Sequence, residues 1–501
     1  MSSAPSSRTV RGLAGHIAGA VSGSAPRTQA AILLFLALPQ VYLLPEGTLD
    51  VALTTLVALL LAAGGLVRLA RRPWPSLPHT GLFAVLAGLL VVRVLALAWS
   101  PDPRAGLQPV VLLGQFIVTL AVMAAALRRK PALLRSIQSF YWPWVIAEAC
   151  LVVTFRFLPG VEDAFLRSVG GFFAGHNTVV ALFGDSPNNV LDPAKAGGVF
   201  VNANVAAMFL GVNGLAALAV AGLTRTRWVA ATGVVALAAV PFTGSKSATI
   251  LAVVLPAAAL GSYQMSRFTL PAARRYLLVG AVSAGAAGAL LLLVVNAALR
   301  RAIVEAFVGR TAIWEFGGES FREHPLLGLG YGGWDAGFPD YAAERGLYRS
   351  FPPHNVLLAA WSNAGLAGLA LSVAFFAVAC WLVAGGLSRR AGVDKRFVAF
   401  AGAALAWVVV QGMGENTDVF GEIHLIPVLA LLIAHLIRPV GEEAKDNAGS
   451  APGRADGRRA ETSAVPAVGD LHPGPGGRPA PAPAAVRGEG PGADRAGCRL
   501  G

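Results

Sequence analysis

Charge is what this chain has least of: 13% of its 501 residues are Asp, Glu, Lys or Arg, against 55% hydrophobic. A soluble globular domain carries about 25% charged residues, so a water-soluble protein is excluded at the outset. Cysteine is scarcer still. The three present, Cys150, Cys380 and Cys498, have no paired spacing, so neither a disulfide framework nor a zinc site is expected. No Asp-x-Asp occurs anywhere, which removes the simplest carboxylate platform for a divalent ion. Segments of about ten residues with alternating polarity, the mark of a transmembrane barrel, are missing too. The net charge of +13 comes mostly from arginines in short connections, so nucleic acid is not needed to explain it.

What is present is a series of apolar runs near the length that crosses a bilayer. Backbone groups in lipid must be satisfied within their own segment, so these runs are expected to be helices. The expected class is an all-α polytopic membrane protein with about twelve transmembrane helices. The spans are read at 28–45, 50–69, 81–99, 109–127, 139–158, 198–223, 228–243, 245–262, 276–298, 354–386, 397–412 and 419–438. "PFTGSKS" interrupts the stretch 228–262 with Pro241 and Gly244. Three parts follow: an N-terminal segment 1–27, a transmembrane domain 28–438, and a tail 439–501. The tail is rich in Pro, Gly and Ala, and its basic and acidic residues balance at 8 each from 440 onward, a composition that builds no core.

Basic residues alternate along the connections. Every second one is positive: Arg68, Arg71 and Arg72; Arg128, Arg129, Lys130 and Arg135; Arg225 and Arg227; Arg267, Arg274 and Arg275; Arg389, Arg390, Lys395 and Arg396. The short connections between them hold two, Arg104 and Lys246. Positive loops stay inside, so both termini are expected to be cytoplasmic and the long loops 159–197 and 299–353 to lie outside. The N-terminal segment 1–27 has no continuous apolar stretch followed by a cleavage site, so it is expected to stay cytoplasmic.

The outer segment from Gly309 reads "GRTAIWEFGGESFREHPLLGLGYGGW", and "PPHN" opens the tenth span ahead of "NAGLAG". Gly-Arg, then Trp314, then "HPLLGLGYGGW", then His354-Asn355 with a Gly-x-x-Gly pair behind it, in that order, resembles the O-antigen ligase and polysaccharide polymerase family of polytopic glycan transferases. "GVFVNANVAAMFL" and "TGSKSA" are weaker matches, and the resemblance covers roughly 198–435. It implies a GT-C-like helical fold with a long extracytoplasmic loop between helices 9 and 10. The implied reaction transfers a glycan from an undecaprenyl pyrophosphate carrier to a hydroxyl of a glycan, lipid or protein acceptor, in a bacterial plasma membrane. Membrane lipids are then partners, while nucleotide sugar, cofactor, obligatory metal and nucleic acid are not.

The residue types suit that chemistry. An imidazole near neutral pKa can take the proton of an attacking hydroxyl, so His354 is the expected general base. A departing pyrophosphate gathers negative charge, which fixed cations stabilise. Arg310, Arg322 and Lys246 are the expected cations, and Asn355 completes the binding set. Each has a plainer reading: His354 capping a helix, the arginines as solvated charges, His324 as a turn residue, Asn202 and Asn204 at a helix start, and Glu315, Glu319, Glu323 and Asp335 solvated or paired with arginine. One departure stands out: Lys246 occupies the position where the family has arginine, keeping the charge but losing the two-pronged fork. The alternative class is a flippase of lipid-linked glycans, which calls for paired halves or ionisable groups near the midplane, Arg93, Glu148 and Arg156 being the candidates.

Overall fold

The computed structural model describes residues 41–42, 52–53, 55–56, 59–60, 79–129, 133–174, 179–180, 182–184, 192–267, 297–346, 351–389, 393–415, 420 and 424–438. The N-terminal segment, the tail and nearly all of the spans expected at 28–45, 50–69 and 276–298 lie outside these. Among the described residues the chain is all-helical, with one isolated bridge pairing Tyr42 and Ala52. The helices are α1 (Thr80–Ala96), α2 (Pro103–Arg129), α3 (Leu133–Phe157), α4 (Pro159–Ala174), α5 (Ala203–Thr224), α6 (Arg227–Ala239), α7 (Lys246–Arg267), α8 (Ala297–Glu323), α9 (Gly333–Glu344), α10 (Val356–Arg389), α11 (Val393–Gly412) and α12 (Ile426–Leu436). Five are long and apolar enough to cross a membrane: α2, α5, α7, α10 and α11. A multi-pass membrane protein is the class this describes.

Two segments read as loops are largely helical. Residues 159–197 begin with α4, and 299–353 hold most of α8 and all of α9. The reason lies in a period that the charges obscure: on α8, Ala312, Ile313 and Ser320 are buried and Phe316 is half-buried, a 3–4 spacing that packs one face. That face meets Trp334, Phe338 and Tyr341 of α9 in an aromatic cluster, with Phe316 and Trp334 edge to face at 4.9 Å. Glu319 pairs with Arg345 at 3.8 Å, as expected of an acid in this segment.

The central helix is α5. Of its apolar window 89% is buried, because it is made of small residues that let neighbours approach on every side. A Cβ at Gly211 would collide with the Trp407 indole of α11, so the absence of a side chain there lets a tryptophan fill the gap. The one strongly polar side chain in the middle of α5, Asn213, is satisfied: it accepts from the Tyr141 hydroxyl and donates to Phe209 O at 2.9 Å. The break expected at "PFTGSKS" is real: α6 tightens into a 3₁₀ turn, Val240–Thr243, and Gly244 turns left-handed before α7.

Helix α10 is kinked, its helical backbone broken at Ala364 and Gly365. The "HPLLGLG" turn fills the break. Leu329 and Gly330 donate their N–H groups to Ser362 O at 2.8 and 2.9 Å, and Leu366 donates to Leu326 O at 3.0 Å. Only glycine fits at the two contact points: a Cβ on Gly328 would meet the Trp361 carbonyl, and one on Gly365 the Leu326 carbonyl. "HPLLGLG" and "NAGLAG" are therefore the two faces of one joint.

Candidate active site

His354 stands just before α10 and is held in an uncommon backbone state, with φ of 45° in the left-handed region that a side chain disfavours. Behind it Asn355 caps the helix, its carboxamide oxygen accepting from Leu357 and Leu358 N–H at 2.9 and 3.1 Å. The cap fixes where the helix begins and turns His354 off its axis. The imidazole is half-buried, with Phe351 at 6.3 Å and its Nδ1 enclosed. Burial holds its pKa below the ordinary histidine value, and the positive charge of Arg310 pushes the same way. The ring is therefore neutral near pH 7, the form that accepts a proton.

Arg310 reaches this point from α8. Its guanidinium lies against the backbone at the end of α11, where a Cβ on Gly414 would come 3.2 Å from Nη1. The next residue is Glu415. Burial raises the Glu415 pKa, while Arg310, a 2.6 Å bond from Asn204 Nδ2, and Lys195 each favour its charged form. Asn204 lies at the first turn of α5, where Asn202 caps the helix by accepting from Asn204 N–H at 2.9 Å. Gln411, one residue before the end of α11, donates to Asn204 O at 2.8 Å and accepts from Trp407 Nε1 at 2.6 Å. Four chain segments therefore meet at one end of the bundle, bringing a neutral imidazole, two cations and a carboxylate together. Such a set can take a proton and hold an anion.

Residues 230–373 match the O-Antigen ligase family model. That is what this chain is similar to, and the resemblance carried by the motifs is borne out over that region. The O-antigen ligase region is narrower than the 198–435 read from the motifs. It contains Lys246, Arg310, Arg322, His354 and Asn355, together with both glycines of the joint, while Lys195, Asn204 and Glu415 lie outside it. A comparison with curated proteins finds no match.

Of the five residues expected from sequence, the structure brings His354 and Arg310 together, with Asn355 positioning the first. Arg322 shares a helix with Arg310 but sits twelve residues on, about 18 Å along the axis, near the end of α8. Lys246 is exposed at the start of α7. The turn before it packs on the segment that carries Lys195: Ala196 N–H donates to Thr243 O at 3.1 Å. Lys195 and Glu415 were missed by sequence reasoning. Neither belongs to a motif, so the sequence carried no signal that singled them out. Arg93, Glu148 and Arg156 are engaged elsewhere. Arg93 donates to Pro109 O, Glu148 accepts from Val199 N–H at 3.2 Å, and Arg156 donates to Pro193 O.

Proposed function

We propose that this protein transfers a glycan from an undecaprenyl pyrophosphate carrier to an acceptor hydroxyl during polymerisation or ligation of a surface polysaccharide. The observation that carries the reading is that Arg310 lies near enough for its charge to act on both His354 and Glu415, Arg310 and His354 coming from two motifs of the matched region. His354 takes the proton of the acceptor hydroxyl as its oxygen attacks the anomeric carbon. The bond from that carbon to the pyrophosphate oxygen breaks, and the leaving group keeps the electron pair. Arg310 stabilises the growing charge through two parallel hydrogen bonds, and Lys195, with Lys246 at the rim, adds positive potential. Glu415, fixed by Asn204, sets a carboxyl group in the field of the guanidinium. Arg322, farther along α8, suits a later sugar of the glycan. No step calls for a metal, so transfer is expected to persist in EDTA.

On this reading the positive connections lie inside, so this end of the bundle faces outward from a bacterial plasma membrane and both termini are cytoplasmic. A cysteine at Ala343 is then labelled by an impermeant thiol reagent added outside, and one at Gly392 is not. The opposite pattern overturns the orientation. The deciding chemical experiment is His354→Ala in membranes supplied with lipid-linked glycan, where insertion is kept and transfer is lost. Near-normal transfer reduces His354 to a structural residue. Acceptor identity is read from the deletion strain: loss of long chains with single units kept means polymerase, and accumulation of free lipid-linked polymer means ligase.

A further inference from the structure

The "HPLLGLG" turn presents an anomaly: two adjacent leucines, Leu326 and Leu327, are 70% and 56% exposed at a closely hydrogen-bonded junction. Nearly every carbonyl around them is occupied. Pro325 O accepts from Trp361 Nε1 at 3.2 Å, Leu326 O from Leu366 N–H, and Leu327 O from Trp99 Nε1 at 3.0 Å. Tyr331 closes the far side, its N–H donating to Ser100 Oγ at 2.8 Å and its carbonyl accepting from Asp102 N–H at 3.0 Å. Non-helical backbone is tolerated at membrane depth only when its polar groups are satisfied this way.

The level of the turn is set by what it touches. Ser362 lies six residues into α10, about 9 Å below its start, and Leu366 lies just beyond the break. That helix is a candidate span, with only 22% of its apolar window buried, and Leu366 itself is 43% exposed. Whatever bathes Leu366 bathes Leu326 and Leu327 as well. Around the same level Leu95 of α1 and Phe321 at the end of α8 are exposed, and the half-buried Trp99 indole donates to the turn from outside while the buried Trp361 indole donates from within. Indoles with one polar contact and an apolar body gather where hydrocarbon meets headgroups.

We infer that the turn Pro325–Leu329 is a membrane-inserted elbow, with Leu326 and Leu327 seated among the acyl chains of the leaflet at the site's end of the bundle. The elbow ties the end of α8, and through that helix Arg310, to a fixed height over the lipid surface. The inference requires only that α10 spans the membrane and is independent of the transferase reading.

The test uses the full-length chain with its three cysteines replaced, reconstituted in phosphatidylcholine–phosphatidylglycerol vesicles. A fluorophore is attached to single cysteines at Leu326 or Leu327, with Leu366→Cys as the lipid-facing reference and Ala343→Cys, exposed on α9, as the aqueous one. Nitroxide groups on the lipid acyl chains should quench Leu326→Cys and Leu327→Cys as they quench Leu366→Cys, with iodide ineffective and the emission blue-shifted relative to Ala343→Cys. Quenching by iodide to the extent seen at Ala343→Cys would overturn the inference. So would shielding from both quenchers, which would put a second copy of the chain over the turn. Either leucine variant alone decides the matter if the other fails to assemble.

Discussion

Two acidic sites grip the same stretch of chain and do different things with it. Glu148 and Glu162 are buried and accept from the backbone N–H groups of Val199 and Gly197, both at 3.2 Å. Five residues downstream of Val199, Glu415 instead accepts from a side chain, Asn204, and lies in the field of Arg310 and Lys195. The first pair spends its acceptors on peptide groups that would otherwise be buried without partners, so it is a clamp. The second lies in the field of side-chain charges that a bound anion would also meet. The lesson is that a carboxylate removed from water is classified by its partners, since the residue type is the same at both sites and Glu415 is only half-buried.

Substitutions sharpen this contrast. His354→Ala should have the largest effect, lowering transfer by about 10²–10⁴, the range for loss of a general base, with normal insertion; a twofold drop would dissolve the site. Arg310→Ala should cost about 10²–10³, the scale for removing one electrostatic donor, and Arg310→Lys should recover little of it because an ammonium lacks the fork. Glu415→Gln should lower turnover by about tenfold, matching the loss of a charge-assisted contact of about 1.5–3 kcal/mol. Glu162→Ala should do the reverse of Glu415→Gln: thermal stability falls by about 1–3 kcal/mol through the stranded Gly197 N–H, while turnover per folded molecule is kept. If both variants lose turnover equally, clamp and site are not distinct.

The pH profile gives a smaller but signed effect. His354 must be neutral to act, and both burial and Arg310 lower its pKa. The acid limb of kcat/KM should therefore fall below about 6.5, the value of an unperturbed imidazole. A limb above that value would mean that another group is titrating. Smallest of all is Lys246→Arg, expected to change transfer by less than about twofold, because position 246 stands at the rim.

How much of this was readable in the sequence differs by kind of signal. Apolar length located α2, α5, α7, α10 and α11, since hydrocarbon thickness is a strict ruler. It could not say that α5 is enclosed and α10 largely exposed, although the glycines and alanines of α5 carry that information through close packing. Motif order found His354 and Arg310. Their proximity was invisible, because it depends on α8, whose charged face hid a helical period behind a loop-like composition. Asn355 was read as a binding residue, and its oxygen serves the helix; an asparagine ahead of an apolar run is as much a capping signal as a functional one. Lys195 and Glu415 lie outside the matched region and carry no motif, so only the fold brings them in.

The joint between Gly328 and Gly365 has a consequence for exchanging parts between related chains. Each glycine faces a carbonyl belonging to the other strand of the contact, so neither side can be altered and then rescued by trimming a neighbouring side chain. A hybrid whose crossover falls between residues 331 and 360 inherits the turn from one parent and the helix break from the other. Crossovers upstream of Arg310 or downstream of Val373 carry both halves intact. Hybrids of the second kind should reach the membrane folded, and those of the first kind only where the two parents shape this joint alike.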